Sequence, residues 1–428
     1  MQSSQSNVKI SQKPEGLSIH FAFAAMTSLF FIWGFITALN DILLPYLKGA
    51  FSLSYLQAGL VQFCFFGAYF IVSPFAGRML EKVGYKNGII IGLGTVAAGC
   101  CLFFPAAEAA IYAVFLFALF VLAAGIAILQ VSANPYVAVL GSEETAASRL
   151  NFAQAINSLG HTAGPAFGAI LILSAVEQSG SAKAVQLPYL LIAVALVVVA
   201  LVFYKLKLPN ISEHLDESKA ASHFTLFSHK HLTYGVLAIF LYVGAEVAVG
   251  SYLVNFFMQL GIEDMTTVTA GKMVSYYWGA AMVGRFAGAL IMRYVAPTTL
   301  LAINSVLAVA MIIVAVNSSG EMAMWTILAV GFFNSIMFPT IFTLAIRGLG
   351  EHTGRGSGYL CQGIVGGAIL PMIQGQAADM MTLQWSFLIP AVCYLYIAWY
   401  ALRGSRVSVP LGESTSDAEK QTKHPERS

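Results

Sequence analysis

The sequence predicts an all-α polytopic membrane protein with twelve transmembrane helices in two pseudo-symmetric six-helix halves. Of its 428 residues, 58% are hydrophobic and only 10% are charged, whereas an ordinary soluble domain carries about 25% charged residues. Twelve stretches are apolar and long enough to cross a bilayer, which takes about 20 residues. A polar segment separates the first six stretches from the last six, and landmark residues recur on its two sides.

The composition also excludes several classes of function. A mean hydropathy of +0.76 leaves too few charged side chains to cover the surface of a soluble enzyme, a disordered regulator or a nucleic-acid-binding protein. The formal net charge of +2 is too small to attract a polyanionic partner. The five cysteines lie in apolar runs without metal-ligand or disulfide spacing, so we expect them to be packing residues.

The twelve predicted spans differ in length, and the longer ones are expected to tilt or to extend beyond the bilayer. They cover residues 19–47, 54–79, 87–105, 110–140, 147–174, 187–205, 232–260, 268–293, 297–316, 322–347, 357–379 and 385–403. Residues 1–18 are polar, and the apolar run after them is too long for the core of a cleavable signal peptide. We therefore expect a short N-terminal tail before the first span.

Lysine and arginine predict that both termini lie in the cytoplasm, because short loops on that side carry an excess of positive charge. The tails, the central segment and the even-numbered connections contain most of these residues, among them Lys82 and Arg355. The opposite side carries only Lys48, Lys183 and Lys272.

The longest polar segment, from Lys205 to Lys230, divides the chain into two halves. The expected parts are a cytoplasmic N-terminal tail, a first six-helix half, a central cytoplasmic loop, a second six-helix half and a cytoplasmic C-terminal tail. In this order they cover residues 1–18, 19–205, 206–231, 232–403 and 404–428.

Landmarks at a nearly constant offset indicate that the second half is a parallel duplication of the first. Gly284-Arg285 follows Gly77-Arg78 after 207 residues, and Pro339 follows Pro135 after 204. In such a repeat the substrate binds between the halves, near the middle of the membrane. The segment 77–86 combines glycines, which permit a sharp turn, with an acid and several basic residues. We expect Arg78 and Arg285 to form gate contacts; the alternative is that basic loop residues only set the topology.

Few acidic residues fall inside predicted spans, where ionisable groups are costly and functional by default. Asp41 lies in the first span and Glu246 in the seventh, 205 residues later, so both occupy similar depths on the first helix of a half. A buried carboxyl group can carry a proton, and an ionised one is an oxygen ligand suited to Na⁺. We expect Asp41 and Glu246 to couple transport to a cation; the alternative is a neutral acid that only bonds a neighbouring helix.

Amide side chains line one face of the fifth span, since Asn151, Gln154, Asn157 and His161 recur every three or four residues. Amides donate and accept hydrogen bonds, which suits a substrate rich in hydroxyl groups, and aromatic rings suit the apolar faces of sugars. The candidate substrate-binding residues are Asn40, Gln130, Asn134, Gln154, Asn157, Trp33, Tyr277, Trp278, Phe338 and Gln362. The alternatives are hydrogen bonding between helices for the amides and core or lipid packing for the rings. His161 could relay protons or donate to a backbone carbonyl.

The chain resembles a known family in five segments. They are LNDILLPYLKGAF (39–51), SANPYVAVLG (132–141), RLNFAQAINSLG (149–160), YVGAEVAVGSYL (242–253) and FPTIFTLAIRGLG (338–350). These segments resemble the fucose–galactose–glucose:cation symporters of the major facilitator superfamily, and the likeness extends from about residue 20 to residue 403.

The resemblance also implies a branch of that family. Fucose:proton permeases have one acid in the first span and another in the fourth; here Asp41 matches the first and Gln130 stands in place of the second. Glu246 stands where those permeases have a glutamine, and Phe338 where they have a tyrosine. This pattern looks like the glucose/galactose transporter branch, some members of which are driven by sodium.

We therefore expect a secondary active importer of a glucose- or galactose-type hexose, coupled to a sodium or proton gradient and working by alternating access. It is expected to be no enzyme, to need no cofactor beyond the co-transported ion, and to lie as a monomer in the lipid bilayer of a bacterial inner membrane. The alternatives are a fucose or amino-sugar proton symporter and, in other classes, a multidrug exporter or a non-transporting sugar receptor. An apolar cavity would favour the exporter, and a large soluble domain would favour the receptor.

Overall fold

The structure is a computed structural model and describes residues 18–50, 55–109, 111–168, 186–209 and 228–407; for residues 39–50, 55–59 and 165–168 it describes the backbone only. In this part of the chain the backbone forms helices joined by turns and short loops, without a strand. Most of the expected tails and central loop, and the side chains of Asn40 and Asp41, lie outside the described residues.

The first half consists of five helices that supply six spans. They are α1 Ile19–Ala50, α2 Tyr55–Ala109, α3 Tyr112–Val139, α4 Ala146–Gly168 and α5 Gln186–Lys205. Helix α2 is interrupted at Gly84, whose φ of 76° lies in a region that strains residues with a side chain. Glycine therefore permits the kink that divides α2 into the second and third spans.

The second half uses more and shorter helices for its six spans. They are α6 Lys230–Gln259, α7 Thr267–Ile291, α8 Pro297–Asn317, α9 Gly320–Asn334, α10 Met337–Ala345, α11 Thr353–Gln362, α12 Gly366–Met380, α13 Leu383–Ser386 and α14 Leu388–Trp399. Helices α9 and α10 form the tenth span, α11 and α12 the eleventh, and α13 and α14 the twelfth.

Nine helical stretches among the described residues are long and apolar enough to cross a membrane. The stretch from Leu60 to Ala109 is 50 residues long and contains the kink, so it supplies two spans. Helices α4 and α7 are more polar and supply the fifth and eighth spans. The twelve predicted helices are thereby confirmed, with ends that differ from the prediction by a few residues.

The tenth span is broken between α9 and α10, and a proline explains the break. Pro339 lies in the first turn of α10. It has no backbone N–H, so it cannot donate to the carbonyl oxygen of Ser335 in the preceding turn. That oxygen instead accepts a hydrogen bond from Nε of Arg285 on α7, at 3.1 Å. The proline thus leaves an acceptor in the bundle interior that a neighbouring helix satisfies.

Many of the described contacts between the two halves lie at one end of the bundle, which we call the basic end. It comprises the kink of α2 and the connections 140–145, 292–296 and 346–352. Helix α2 packs on α11 there, and a Cβ at Gly358 would lie 2.6 Å from the carbonyl oxygen of Ser73. Glycine therefore permits the close approach of these two helices.

Helices α4 and α7 form a second seam between the halves. The hydroxyl of Ser148 on α4 donates to the carbonyl oxygen of Ala289 on α7, at 2.5 Å. The rings of Phe152 and Phe286 meet edge to face with centroids 5.9 Å apart. The described contacts between the halves thus extend from the basic end to the middle of the bundle.

Candidate functional site

Helix α4 carries the amide face predicted for the fifth span, and it packs closely on α1. A Cβ at Gly160 would overlap the carbonyl oxygen of Phe31, so glycine sets the separation of the two helices. The approach lets Nδ2 of Asn157 donate to the carbonyl oxygen of Phe30, at 2.8 Å. Asn157 therefore holds α4 against the helix whose backbone carries Asp41.

A second group of amides joins α3 to α4. Nε2 of Gln154 donates to Oδ1 of Asn134, at 3.3 Å, and both side chains are buried. Gln130, one helical turn before Asn134, is partly exposed and donates to the hydroxyl of Tyr69, at 2.7 Å. Nδ2 of Asn134 is buried and has no hydrogen-bond partner among the described groups. The cluster therefore retains an N–H donor to which an acceptor of a ligand or a water molecule can bond.

Asn151, at the start of the amide face, bonds the opposite half. Its Nδ2 donates to Oγ1 of Thr340 on α10, at 3.2 Å, and to the carbonyl oxygen of Ala147, at 2.9 Å. This position thus follows the helix-bonding alternative for the amide face.

Glu246 lies on α6 in the interior, facing α4 and α7. Its side chain is 12% exposed, and its Oε1 lies 3.5 Å from Nη2 of Arg285, whose side chain is 15% exposed. Nη1 of Arg285 donates to Oγ of Ser158 on α4, at 2.5 Å. His161, one turn further along α4, interacts electrostatically with Glu246. The acid identified from the sequence therefore sits where the two halves meet, with an arginine as its counter-charge.

A buried network lies behind this pair inside the second half. Nδ2 of Asn334 donates to the hydroxyls of Tyr277, at 2.7 Å, and Tyr394, at 3.0 Å. The hydroxyl of Tyr277 lies 3.4 Å from the carbonyl oxygen of Glu246, to which it donates. Tyr277 is fully buried, so its ring packs in the core in this arrangement.

The remaining aromatic candidates differ in exposure. Trp33 is 4% exposed and packs on Phe30, with ring centroids 4.5 Å apart. Trp278 is 42% exposed and covers Gly250 of α6, where a Cβ would lie 3.1 Å from its ring. Phe338 is half-buried. Trp278 therefore offers the largest aromatic surface of the three.

Gln362 lies in the seam between α2 and α11. Its Nε2 donates to the carbonyl oxygen of Phe70, at 3.2 Å. A Cβ at Gly367, just beyond it, would lie 2.7 Å from the ring of Phe66. Gln362 therefore bonds the opposite half at about the middle of the bundle.

The two arginines expected at the gate occupy different places. Arg78 is exposed near the kink of α2, whereas Arg285 lies inside α7 and reaches the middle of the interface. At the basic end the halves are instead joined by Arg355 and Glu81, with Nε and Oε2 2.7 Å apart, and by Arg347 and Glu143, with Nε and Oε1 3.7 Å apart. Nδ1 of His352 lies 4.0 Å from the other oxygen of Glu81.

Sequence reasoning missed the partners in these contacts. Glu81 is the acid among the basic residues of segment 77–86, and Arg355 contributes only to the predicted orientation of the chain. Ser158 belongs to the amide face, yet nothing in its neighbourhood indicates an arginine 127 residues away. The acidic residue in a basic loop was the one signal that an opposite charge lies across the interface.

The arrangement defines a class of protein. Two six-helix halves that meet over buried amides, with a largely buried carboxylate–guanidinium pair beside them, have the architecture of a secondary transporter. Among the described residues, no cluster of three or more His, Cys, Asp or Glu side chains could hold a metal ion.

Known proteins share this architecture and much of the sequence. The model of the Major Facilitator Superfamily matches residues 21–361. The glucose/galactose transporter of Brucella abortus is 52% identical over 389 residues, which cover 90% of this chain and 94% of that protein. The L-fucose-proton symporter of Escherichia coli is 37% identical over 406 residues, covering 89% and 92%.

The solved structures give the same result. A crystal structure of the Escherichia coli fucose:proton symporter superposes with a TM-score of 0.82 at 36% identity, covering 91% of this chain and 100% of that one. A second crystal structure, of the transporter in the outward conformation, gives a TM-score of 0.81 at 35% identity, with the same coverage. The chain therefore belongs to the fucose–galactose–glucose:cation symporter family of the major facilitator superfamily.

Proposed function

We propose that the protein is a secondary active importer of a glucose- or galactose-type hexose, driven by a cation gradient. The observation that carries the proposal is the group of buried amides beside Glu246 at the interface of the halves. Amides match the hydroxyl groups of a sugar, and the carboxylate can take part in cation coupling. The 52% identity to a protein named glucose/galactose transporter supports the same substrate class.

The proposed sugar site draws on both halves. In the first half, the spare donor of Asn134 and the partly exposed Gln130 are the groups best placed to meet a ligand. In the second half, the exposed ring of Trp278 offers a stacking surface. The other residues proposed for the site are Asn40, Gln154, Asn157, Trp33, Tyr277, Phe338 and Gln362.

The proposed cation site rests on Asp41 and Glu246. In the described arrangement Glu246 already has Arg285 as a positive partner. We therefore assign the first contact with the cation to Asp41 and a later contact to Glu246. A relative named as a proton symporter supports H⁺ as the driving ion. Gln130 is neutral, so it cannot carry a proton, and Na⁺ is the alternative driving ion.

We also propose that both termini are cytoplasmic and that the protein acts as a monomer in a bacterial inner membrane. The basic residues support this orientation, and the relatives named above are bacterial. With this orientation the basic end, where described contacts join the two halves, faces the cytoplasm. We propose that the described conformation is outward-facing, which the likeness to a transporter crystallised in the outward conformation supports.

A counterflow assay tests the substrate class without any ion gradient. Proteoliposomes loaded with unlabelled sugar are diluted into radiolabelled glucose or galactose, and exchange is followed in the presence of competitors. We expect glucose and galactose to compete more strongly than fucose or glucosamine, and tetraphenylphosphonium not to compete. Stronger competition by fucose or glucosamine would favour the alternative symporter, and competition by tetraphenylphosphonium alone would favour an exporter. Binding without exchange would favour a receptor.

A further inference from the structure

Arg285 contacts three other elements of the bundle through three different nitrogens. From α7, Nη2 faces Glu246 on α6, at 3.5 Å, and Nη1 donates to Ser158 on α4, at 2.5 Å. Nε donates to the carbonyl oxygen of Ser335 between α9 and α10, at 3.1 Å. The planar guanidinium has its donors in a fixed fork, so one rigid group serves all three acceptors.

The contact with Ser335 fixes the base of the guanidinium. Pro339 leaves the carbonyl oxygen of Ser335 without its helical donor, and Nε of Arg285 occupies that acceptor. Because a buried carbonyl without a partner is costly, this bond is expected to persist when the tip of the side chain moves. The two terminal nitrogens then share one hinge, and their contacts with Glu246 and Ser158 change together.

The charge of Arg285 depends on Glu246. Both side chains lie largely out of solvent, and a charged group there requires a compensating partner. The groups that act on the Glu246 carboxyl are Arg285 from α7, His161 from α4 and Tyr242 from α6. A proton or sodium ion at Glu246 would cancel the negative charge and leave Arg285 without its counter-charge.

The hydrogen bond to Ser158 links the charge on Glu246 to the contact between the two halves. It belongs to the first half, whereas Glu246 and Arg285 belong to the second, so the bond to Ser158 crosses the seam between α4 and α7. Release of the guanidinium tip from Glu246 also withdraws Nη1 from Ser158. The seam then loses a charge-assisted hydrogen bond at its inner end, furthest from the basic end.

We infer that Arg285 is a positioning residue that competes with the transported cation for Glu246 and, through Ser158, links the occupancy of Glu246 to the closure of the basic end. The inference rests on the proposed function, since it assumes that a cation reaches Glu246 during transport. In the described arrangement the arginine occupies the carboxylate and the basic end is closed. A cation at Glu246 displaces the arginine and loosens the seam, which permits the protein to open on the other side.

Hydrogen–deuterium exchange on the full chain in lipid nanodiscs tests this inference without sugar or a gradient. Ser158→Ala removes the cross-half acceptor. We expect the amides of residues 146–152 and 286–292 to exchange on the order of tenfold faster than in the wild type, because a hydrogen bond to a charged group is lost. Ser305→Ala is the matched control, since its buried hydroxyl donates only to Leu301 within α8, at 2.7 Å. This control is expected to leave exchange at the seam unchanged.

Variants of the ion pair complete the test. Arg285→Gln alone leaves Glu246 without a partner and can prevent folding, so Glu246→Gln/Arg285→Gln, which keeps the charge balanced, is measured beside it. We expect faster exchange at the seam in the double variant, as in Ser158→Ala. In the wild type, replacing choline chloride by sodium chloride, or lowering the pH, should reduce the protection of the same amides, measured as their exchange rate relative to the intrinsic rate at that pH. This response should disappear in Glu246→Gln.

Two results would overturn the inference. One is unchanged exchange at the seam in both Ser158→Ala and the double variant. The other is a cation response that persists in Glu246→Gln. Neither depends on sugar uptake, so a failure of the proposed substrate or transport activity would show in the counterflow assay and a failure of the coupling role of Arg285 in the exchange data.

Discussion

At the scale of single residues, the pair of Glu246 and Arg285 has an energetic signature of its own. Removing one partner leaves a buried charge without compensation, which costs about 3–5 kcal/mol, whereas removing both together is often nearly neutral. We therefore expect Glu246→Gln to lower the thermal unfolding temperature of the purified protein clearly, and Glu246→Gln/Arg285→Gln to recover most of the loss. A double variant as unstable as the two single changes added together would show that the two side chains are not coupled.

Asp41 is predicted to be the first ligand of the cation. Asp41→Asn keeps the size of the side chain but removes its charge and replaces one acceptor oxygen by an NH₂ donor. We expect the variant to lose accumulation of labelled hexose against a gradient while retaining counterflow, since the sugar contacts remain. Accumulation equal to that of the wild type would assign Asp41 a structural role.

Gln154 and Asn157 separate sugar binding from helix packing. Gln154 donates to Asn134 within the amide cluster, whereas Asn157 donates to the backbone of α1. Each change to alanine removes a group worth about 1–3 kcal/mol where it is left unpaired, so we expect sugar affinity to fall about fivefold to hundredfold. The loss in Asn157→Ala should come with lower thermal stability, because the α1–α4 bond is lost too.

A buried amide away from the interface provides the control for that experiment. Nε2 of Gln374 donates to Ser386 within the second half, at 3.3 Å. Gln374→Ala should reduce thermal stability without changing sugar affinity in equilibrium binding. If sugar affinity is unchanged in Gln154→Ala and Asn157→Ala as well, the sugar site lies away from α4.

Some of these residues can be predicted from the sequence, whereas others depend on contacts between distant helices. Asp41 and Glu246 stand out because charge inside an apolar span is rare, and the amides stand out because helical spacing places them on one face. Arg285 was assigned to a gate from its local motif alone. Its partners lie on α6, on α4 and between α9 and α10, and no spacing along one helix encodes such contacts.

At the scale of helices, the seam between α2 and α11 is expected to hold the basic end closed. Glu81→Arg or Arg355→Glu places like charges where an ion pair now lies. We expect either change to slow hexose counterflow about tenfold, because repulsion favours the open seam, and the combined charge swap to recover most of the rate. Lys82→Glu, on the exposed neighbouring residue, is the control and should change the rate little. No recovery in the swapped pair would show that the seam closes without this ion pair.

The sequence predicts the positions of the spans, because these depend on composition. It does not predict where a span is interrupted, because this depends on local backbone geometry. All twelve spans were predicted from the sequence, including those on α4 and α7, which are more polar than the rest. The breaks in the tenth and eleventh spans were not predicted. Pro339 explains the first, whereas the second, at Gly363–Val365, lies in an apolar, glycine-containing run without a proline.

At the scale of the whole molecule, two seams related by the internal repeat close the same end. Helix α2 packs on α11, and α4 packs on α7. The repeat was predicted from Gly77-Arg78 and Gly284-Arg285, yet these positions serve different contacts. Gly77 faces the opposite half at Gly354, whereas Gly284 faces Phe332 and Ser335 of its own half. The duplication can thus be detected in the sequence. The contacts that each copy of the Gly-Arg motif makes depend on how the complete helices pack.

The conformation is a further property that the sequence does not specify. A transporter needs at least two arrangements of the same helices with similar free energies, and the sequence has to support both. Closure of the basic end in the described arrangement, together with the proposed orientation, gives a state closed to the cytoplasm. The opposite state requires both seams to separate, which places Glu81, Arg355, Ser158 and Arg285 among the residues that change partners.

The central claim is that a cation gradient drives the accumulation of hexose, and uptake into proteoliposomes tests it most directly. Labelled glucose or galactose is supplied outside under an imposed sodium gradient, an imposed proton gradient, or neither. We predict transient accumulation above the equilibrium level with one of the two gradients, and only equilibration without a gradient or in Asp41→Asn. Equilibration alone under both gradients, in protein that is active in counterflow, would contradict the account and identify a uniporter.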